Sequence, residues 1–395
     1  MSGNRFPAAV YRWRTLFTVS EQTVYQNERI SKMKCTVEKS TLLEHLQKVC
    51  NVVDRKTAMP ILNNLYVEAK DDTLTLTATN LEIRITTTLR ANVEVEGVTT
   101  IPSKSLLSLV GKLKDKEIEF ESNDQFHTSI KCGNADFFLL GIDPKEFPEL
   151  FEFEPEQKVC VQQSDLVKMI DAVSYACSYD DSRKILKGIC FSGKDGVFAA
   201  AATDSKRLAV IEKTPEEMPE EFFNFVLPLK TAIETKRLLG SDGTVTLELN
   251  SKMIRIDLGN TVLMSKLLEG SYPNYQNIIP ASFKNEVVLQ KKEMIESLDL
   301  VGIPLTKANG SVTLKFGSEE MELFAQSTAV GEGRDKLILP YQGEPFQVVF
   351  NLSYLLAPFK YFHGDALTMK INDPTSPVML TNGDFLYIVM PIRAK

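Results

Sequence analysis

Three separate landmarks in this chain recur with a period of about 125 residues, and that period constrains the fold more than any other feature. The first landmark is a polar start followed by helical apolar spacing: STLLEHLQKVC at 40–50, SDLVKMIDAVSYAC at 164–177 and KEMIESLDLV at 292–301. Leu42 and Leu166 lie 124 residues apart, and Leu166 and Met294 lie 128 apart. Apolar residues at 42, 46 and 49, and again at 166, 170 and 173, keep the i, i+4, i+7 rhythm of an amphipathic helix. Ser164 is the expected N-cap of the second copy, and Thr41 with Glu44 fits a capping box in the first.

The second landmark is strand-like: TLTLTATN at 73–80, VFAAAATD at 197–204 and MELFAQST at 321–328. The third is helical: IPSKSLLSLVGKL at 101–113, LPLKTAIETKRLL at 227–239 and FNLSYLLAPFKYF at 350–362. A period this long is far beyond a solenoid repeat, so each unit is a whole domain. Within each unit, short alternating strands such as ILNNLYVEA, KEIEFES, TVTLELN, MIRIDL and SVTLKF surround two helices. That pattern predicts an α+β fold with antiparallel sheet packed on helices. Acidic, proline-containing stretches at 147–157 and 272–286 mark the joints. The expected domains are therefore 33–154, 155–282 and 283–395, with 1–32 set apart.

The opening 32 residues have a different character. They carry Arg5, Arg12 and Arg14 before the first acid, Glu21, which is a transit-peptide-like bias without an apolar h-region. Met33 begins the patterned part, so the extension reads as an upstream start codon or a disordered segment.

Composition narrows the function classes. No stretch approaches the ~20 apolar residues of a membrane span, so no membrane partner is expected. Cys35, Cys50, Cys132, Cys160, Cys177 and Cys190 are scattered with no CxxC pair, which predicts reduced thiols in a cytoplasmic protein and no metal cage. A net charge of -7 argues against a strongly basic groove-binding protein, although not against a local basic surface.

Catalytic patterns are missing. His45, His127 and His363 are isolated, and no GxGxxG, P-loop, HExxH or GxSxG occurs. GEGR at 331–334 lacks the strand-to-helix setting of a phosphate loop and reads as a turn. Asp180 and Asp181 are adjacent, and sequence neighbours usually point apart, so they read as a solvated loop. No cofactor is expected. The residues alone leave three readings open: a structural ring and hub, a monomeric peptide-binding module, or an α+β enzyme using Asp180, Asp181 and Asp204.

Specific strings separate these. MPILNNLYVEA (59–69), ATDSKRLAV (202–210), SKLLEGSYPNY (265–275), FNLSYLLAPF (350–359) and VMPIRAK (389–395) together, in this order, resemble the bacterial DNA polymerase III β sliding-clamp family across residues 33–395. The resemblance implies three repeated clamp domains per chain, with antiparallel sheets outside and two helices per domain facing a central hole, closed by a head-to-tail dimer. Twelve inner helices at roughly 9–10 Å between axes lie on a circle about 36 Å across. Subtracting roughly 10 Å of helix thickness leaves a hole of about 25 Å, room for a duplex and a water layer.

The resemblance also implies functional surfaces. Duplex DNA, bound without sequence specificity, would face Lys48, Lys104, Lys112, Lys168, Lys230, Lys236, Arg237 and Lys360 on the helical segments. Lys56 matches a DNA-contacting loop residue just before the MPIL string. Such contacts are to phosphate and are salt-sensitive. A pocket between domains two and three would take short peptides from the polymerase III catalytic subunit, other polymerases, the clamp loader and repair proteins. From the second domain it would use Leu186, Thr203, Ser205, Lys206, Arg207 and Leu208, and from the joint Pro273, Asn277 and Ile278. From the third it would use Tyr354, Val378, Leu380 and the tail Val389, Met390, Pro391, Ile392 and Arg393. Adaptable Met and apolar Leu, Ile and Pro suit a socket with several ligands. Phe137 and Leu139 match one side of the family's dimer contact, and Ile303 and Pro304 the other. The sequence departs from the common pattern in having Ser205-Lys206 where many relatives have Gly-His, and Ala394-Lys395 after Arg393. Both departures bear on peptide preference.

Overall fold

A computed structural model of the chain describes residues 32–53, 57–149, 153–215, 218, 223–305, 310–341 and 343–392. The extension before residue 32, Lys56 and Arg393 lie outside the described residues.

Six helices recur in pairs at the predicted places: α1 (Lys39–Val49) and α2 (Ser103–Lys112), α3 (Gln163–Ser174) and α4 (Leu229–Leu238), α5 (Lys291–Gly302) and α6 (Leu352–Leu356). The first helix of each pair buries one stripe, Leu42, His45, Leu46 and Val49 in α1 and Met294, Ser297, Leu298 and Val301 in α5. Each fully buried Leu in such a stripe contributes about 1.5–3 kcal/mol.

Helix starts differ from the expectation. Gln162, not Ser164, occupies the N-cap of α3, and α1 begins at Lys39 with Glu38 before it. The preceding strand runs straight into the helix in each case, so the leading N–H finds a backbone carbonyl across the fold. Lys39 donates to Lys116 O at 2.7 Å, Gln163 to Gly243 O at 2.9 Å and Lys291 to Asp365 O at 2.8 Å. A tertiary carbonyl thus does the work of a side-chain cap. Glu44, freed from the capping box, pairs with Lys48 one turn on. In the third unit the second helix is cut to five residues, because Pro358 cannot continue it and a 3-10 turn at Phe359–Tyr361 follows.

GEGR is also not a turn: Gly331–Ile338 is a strand paired with Glu320–Ser327. Gly333 suits the close approach of α5, because a Cβ there would come within 3.1 Å of Val301 O and 3.2 Å of Val301 Cα and would press the helix back by a few tenths of an ångström.

Sheet connectivity joins the units. Four antiparallel sheets occur among the described residues, and the two eight-stranded ones each cross a joint. Ile83–Arg90 of the first unit pairs with Thr261–Lys266 of the second, and Arg207–Lys213 of the second pairs with Phe385–Val389 of the third. The two joints use the same repeat positions, since residues 83 and 207, and 261 and 385, lie 124 apart.

Candidate functional site

Among the described residues the six helices together carry an excess of positive charge. Together α1 to α6 hold ten Lys or Arg against seven Asp or Glu, in a chain whose net charge is -7. Several of the expected bases are already engaged. Lys48 bonds Glu44 at 2.7 Å, Lys168 lies 3.6 Å from Asp165, and Lys236 pairs with Asp171. Arg237 is turned away from a free role: it bonds Glu234 and donates to Gln47 O at 2.9 Å and Lys48 O at 2.6 Å, closing the C-terminal end of α1 across the first joint. Lys104, Lys112 and Lys230 are exposed on helices α2 and α4. Lys360 sits on the 3-10 turn, its ammonium 4.7 Å from the Tyr361 ring centre. The distribution is uneven, because α5 carries two Lys and three acids while α6 is uncharged.

Where the second and third units meet, backbone hydrogen bonds hold Met390 and Ile392 in place. The Met390 N–H donates to Lys206 O at 2.9 Å and the Ile392 N–H to Val349 O at 2.7 Å. These bonds hold Met390 and Ile392 at the surface, 37% and 43% exposed; Pro273, Asn277 and Ile278 are exposed as well. Behind them, the Arg207 guanidinium bonds Asp204 at 3.0 Å and lies 4.4 Å from the Tyr354 ring centre. The Tyr387 hydroxyl donates to Tyr354 O at 2.7 Å, and Thr203 donates to Arg207 O at 2.6 Å. Pro391 and Tyr354 are half-buried. Six residues expected in the pocket are closed to solvent in the free chain, Thr203 among them. Val378, Leu380 and Val389 belong to the main core, Leu208 to a smaller cluster with Met379 and Ile388, and Leu186 is buried. They support the groove from behind and offer no open surface.

Ser205 adopts φ 72°, the left-handed region that glycine enters at lower cost, and its hydroxyl accepts a hydrogen bond from Arg183. Arg183 was missed in the sequence reading. It lies 22 residues before Ser205, and nothing in the periodicity links the two.

The three acids of the enzyme reading do not converge. Asp180 caps Ser182 N at 2.9 Å, Asp181 pairs with Lys187, and Asp204 is taken by Arg207 and the Lys206 N–H. Among the described residues no group of three His, Cys, Asp or Glu could hold a metal, and no helix is long and apolar enough to cross a membrane.

Two of the edge strands among the described residues bear on the expected dimer contact. Ala135–Leu139 ends the five-stranded sheet of the first unit, and Gly331–Ile338 ends the four-stranded sheet of the third. Unpaired edges of this kind are association surfaces unless covered. Phe137 is 44% exposed and Leu139 half-buried, and together with Leu109, Lys112 and Leu113 they wall a cavity of about 820 Å³. Beside the other edge, Leu300 and Ile303 at the end of α5 are 53% and 73% exposed. Pro304, expected at this contact, is buried, because the chain turns inward directly after Ile303.

Comparison with known proteins covers nearly the whole described chain. Residues 33–151, 160–274 and 276–393 match the N-terminal, central and C-terminal domains of the DNA polymerase III beta subunit. The beta sliding clamp of Chlamydia muridarum is 29% identical over 362 residues, covering 91% of this chain and 99% of that one. A Caulobacter crescentus beta sliding clamp, solved with polyethylene glycol bound, superposes with a TM-score of 0.88 at 29% identity, covering 92% of this chain and 99% of that one. A Pseudomonas aeruginosa sliding clamp solved bound to griselimycin gives 0.86 at 26% identity, covering 92% and 100%.

Proposed function

This chain belongs to the DNA polymerase III beta subunit family, and from that premise we propose that two copies close head to tail into a ring around duplex DNA. The family is the sliding clamp, a non-catalytic processivity factor of replication. In this reading the ring tethers the replicative polymerase. Its groove between the second and third units takes peptides from the clamp loader, other polymerases and repair proteins. The work is cytoplasmic, on the nucleoid.

The observation that carries the ring is the repeat itself. At the first joint Ile85 faces Leu263, and at the second Ala209 faces Tyr387. One 124-residue step carries the first pair onto the second, and a further step, wrapping round to a second copy, gives Gly333 facing Leu139 of the partner subunit. That register joins the two open edges. It sets Lys336 opposite Asp136 of the partner subunit, a favourable cross-strand pair. It also brings the exposed Leu300 and Ile303 toward the partner's apolar cavity. A head-to-tail contact of this kind stays closed only if its rotation completes a ring.

Sliding requires weak, sequence-independent attraction. Internal pairing of Lys48, Lys168, Lys236 and Arg237 leaves a modest positive face, and topology supplies the retention. The test is loading onto nicked circular DNA with a clamp loader and ATP, followed by linearisation. Retention on circles and escape from cut ends is the expected result. Equal retention on both forms would mean ordinary affinity binding, and a stable monomer would favour the peptide-binding module.

A further inference from the structure

We propose that the solvent-facing side of the five-stranded sheet in the first unit is a docking surface for the chain's own residues 1–31, which lie outside the described residues. The inference stands apart from the ring reading.

Three observations carry it. The first is where the described chain begins. Lys32 lies 3.4 Å from Asp124, and the Met33 N–H donates to Ser122 Oγ at 2.9 Å, so the preceding residues leave the fold at the end of the strand Glu117–Ser122. Glu121 of that strand is directly across from Ser129, and Ser129 from Phe138. Neighbouring strands are roughly 4.8 Å apart, which puts Phe138 about 10 Å from the strand of Glu121. Phe138 is 58% exposed on this face, whereas Phe137 turns to the other face and the cavity.

The second is a difference in charge between the units. Glu117–Ser122 exposes Glu117, Glu119 and Glu121 and buries the residues between them. The strands in the same place in the second and third units are Thr244–Leu249 and Ala366–Ile371. They present Thr244, Thr246 and Glu248, and Ala366, Thr368 and Lys370. Glu248 is held by Arg255 and Lys370 by Glu286. Among the described residues none of the three glutamates of the first unit forms a salt bridge. The cations nearby are shared: Lys34 bonds Glu94, and Lys131 lies across from both Glu119 and Asp136.

The third is the composition of the occupant. Residues 1–20 hold Arg5, Arg12 and Arg14 and no acid, set among Tyr11, Trp13 and Phe17. The arginines complement the row of glutamates, and the aromatic groups suit Phe138. Arg14 is 18 residues before Lys32. That length reaches up to roughly 60 Å, against a sheet roughly 24 Å wide.

Trp13 is the chain's only tryptophan, so its fluorescence in the full chain reports on this segment alone. At low salt, acrylamide should quench it roughly three-fold less than free N-acetyltryptophanamide, the scale of a contact made by a few exposed ion pairs. High salt should remove the protection. So should Glu119→Lys combined with Glu121→Lys, while Thr246→Lys on the second unit should leave it unchanged. The salt series on the unaltered chain tests the same pairing without relying on the fold of a variant. Quenching as free as that of the reference at low salt would overturn the proposal. Protection that survives both high salt and the double reversal would put the segment elsewhere and overturn it too. Protection that grows with protein concentration would assign the segment to a second copy, against docking within the chain.

Discussion

The two internal joints share one backbone solution and fill it with opposite chemistry. At the first, His45 Nδ1 lies 2.6 Å from Thr87 Oγ1, which in turn lies 2.8 Å from Thr261 Oγ1, all three residues buried. One period on, the same three positions hold Met169, Ile211 and Phe385, also buried. Arg237, which closes α1 at the first joint, corresponds to Tyr361 at the second, and Tyr361 stacks on Tyr175 at 5.1 Å between ring centres. Strand pairing through backbone groups sets the angle between units, so side chains are free to diverge provided that volume and satisfaction are kept. The polar joint gains direction from its hydrogen bonds. The apolar joint gains more from burial and lies beside the peptide groove, where Arg207 also packs over Tyr175 and Tyr354.

The sharpest way to break this comparison is at the proposed third joint, between copies. Ile303→Asp puts a carboxylate at an apolar contact, and an unpaired buried charge costs several kcal/mol, so the dimer should weaken by about 100-fold or more. Sedimentation equilibrium reads this directly, and an unchanged dimer would mean the ring closes elsewhere. Next come the two internal joints. Phe385→Ala should lower stability by about 3–5 kcal/mol through lost packing. Thr261→Ala should cost about 1–2 kcal/mol, because Thr87 keeps another acceptor in Asn260 O. Matching losses in urea unfolding would erase the distinction between a polar and an apolar joint.

The smallest effect is a pH dependence confined to the first joint. The imidazole of His45 is held below its ordinary 6.5 chiefly by burial, then by the Lys48 charge, with Glu44 opposing. The unfolded chain therefore takes up this proton first as pH falls. Its share of stability is full above about pH 6.5 and declines as pH drops toward the lower folded value. His45→Met, which copies the second joint, should flatten that decline in thermal melts between pH 7 and 5 (an estimated window from the imidazole's usual range). An identical slope in the variant would assign the dependence to other groups.

Much of the fold was legible because periodicity reports burial directly. The stripes at 42, 46 and 49 and at 166, 170 and 173 became the buried faces of α1 and α3. Helix starts were not legible, because the acceptors for Lys39, Gln163 and Lys291 come from residues 74 to 80 positions away. GEGR misled for a related reason: its glycine answers to the backbone of α5, not to a local turn. At the groove, Met390 and Ile392 could be suspected from their place near the chain's end. Arg183 could not, since its partner Ser205 lies 22 residues away and no local period links the two.

The amino-acid pattern by itself determined the number of units, the two helices in each and the strands between them, since these follow from local periodicity repeated three times. Only the tertiary structure decided which partners these bases meet. Lys48, Lys168, Lys236 and Arg237 look alike in one dimension, yet once the chain has folded the first three meet acids and Arg237 also closes the end of α1. Charge is carried by residues, but its availability depends on distances that backbone pairing sets between distant segments.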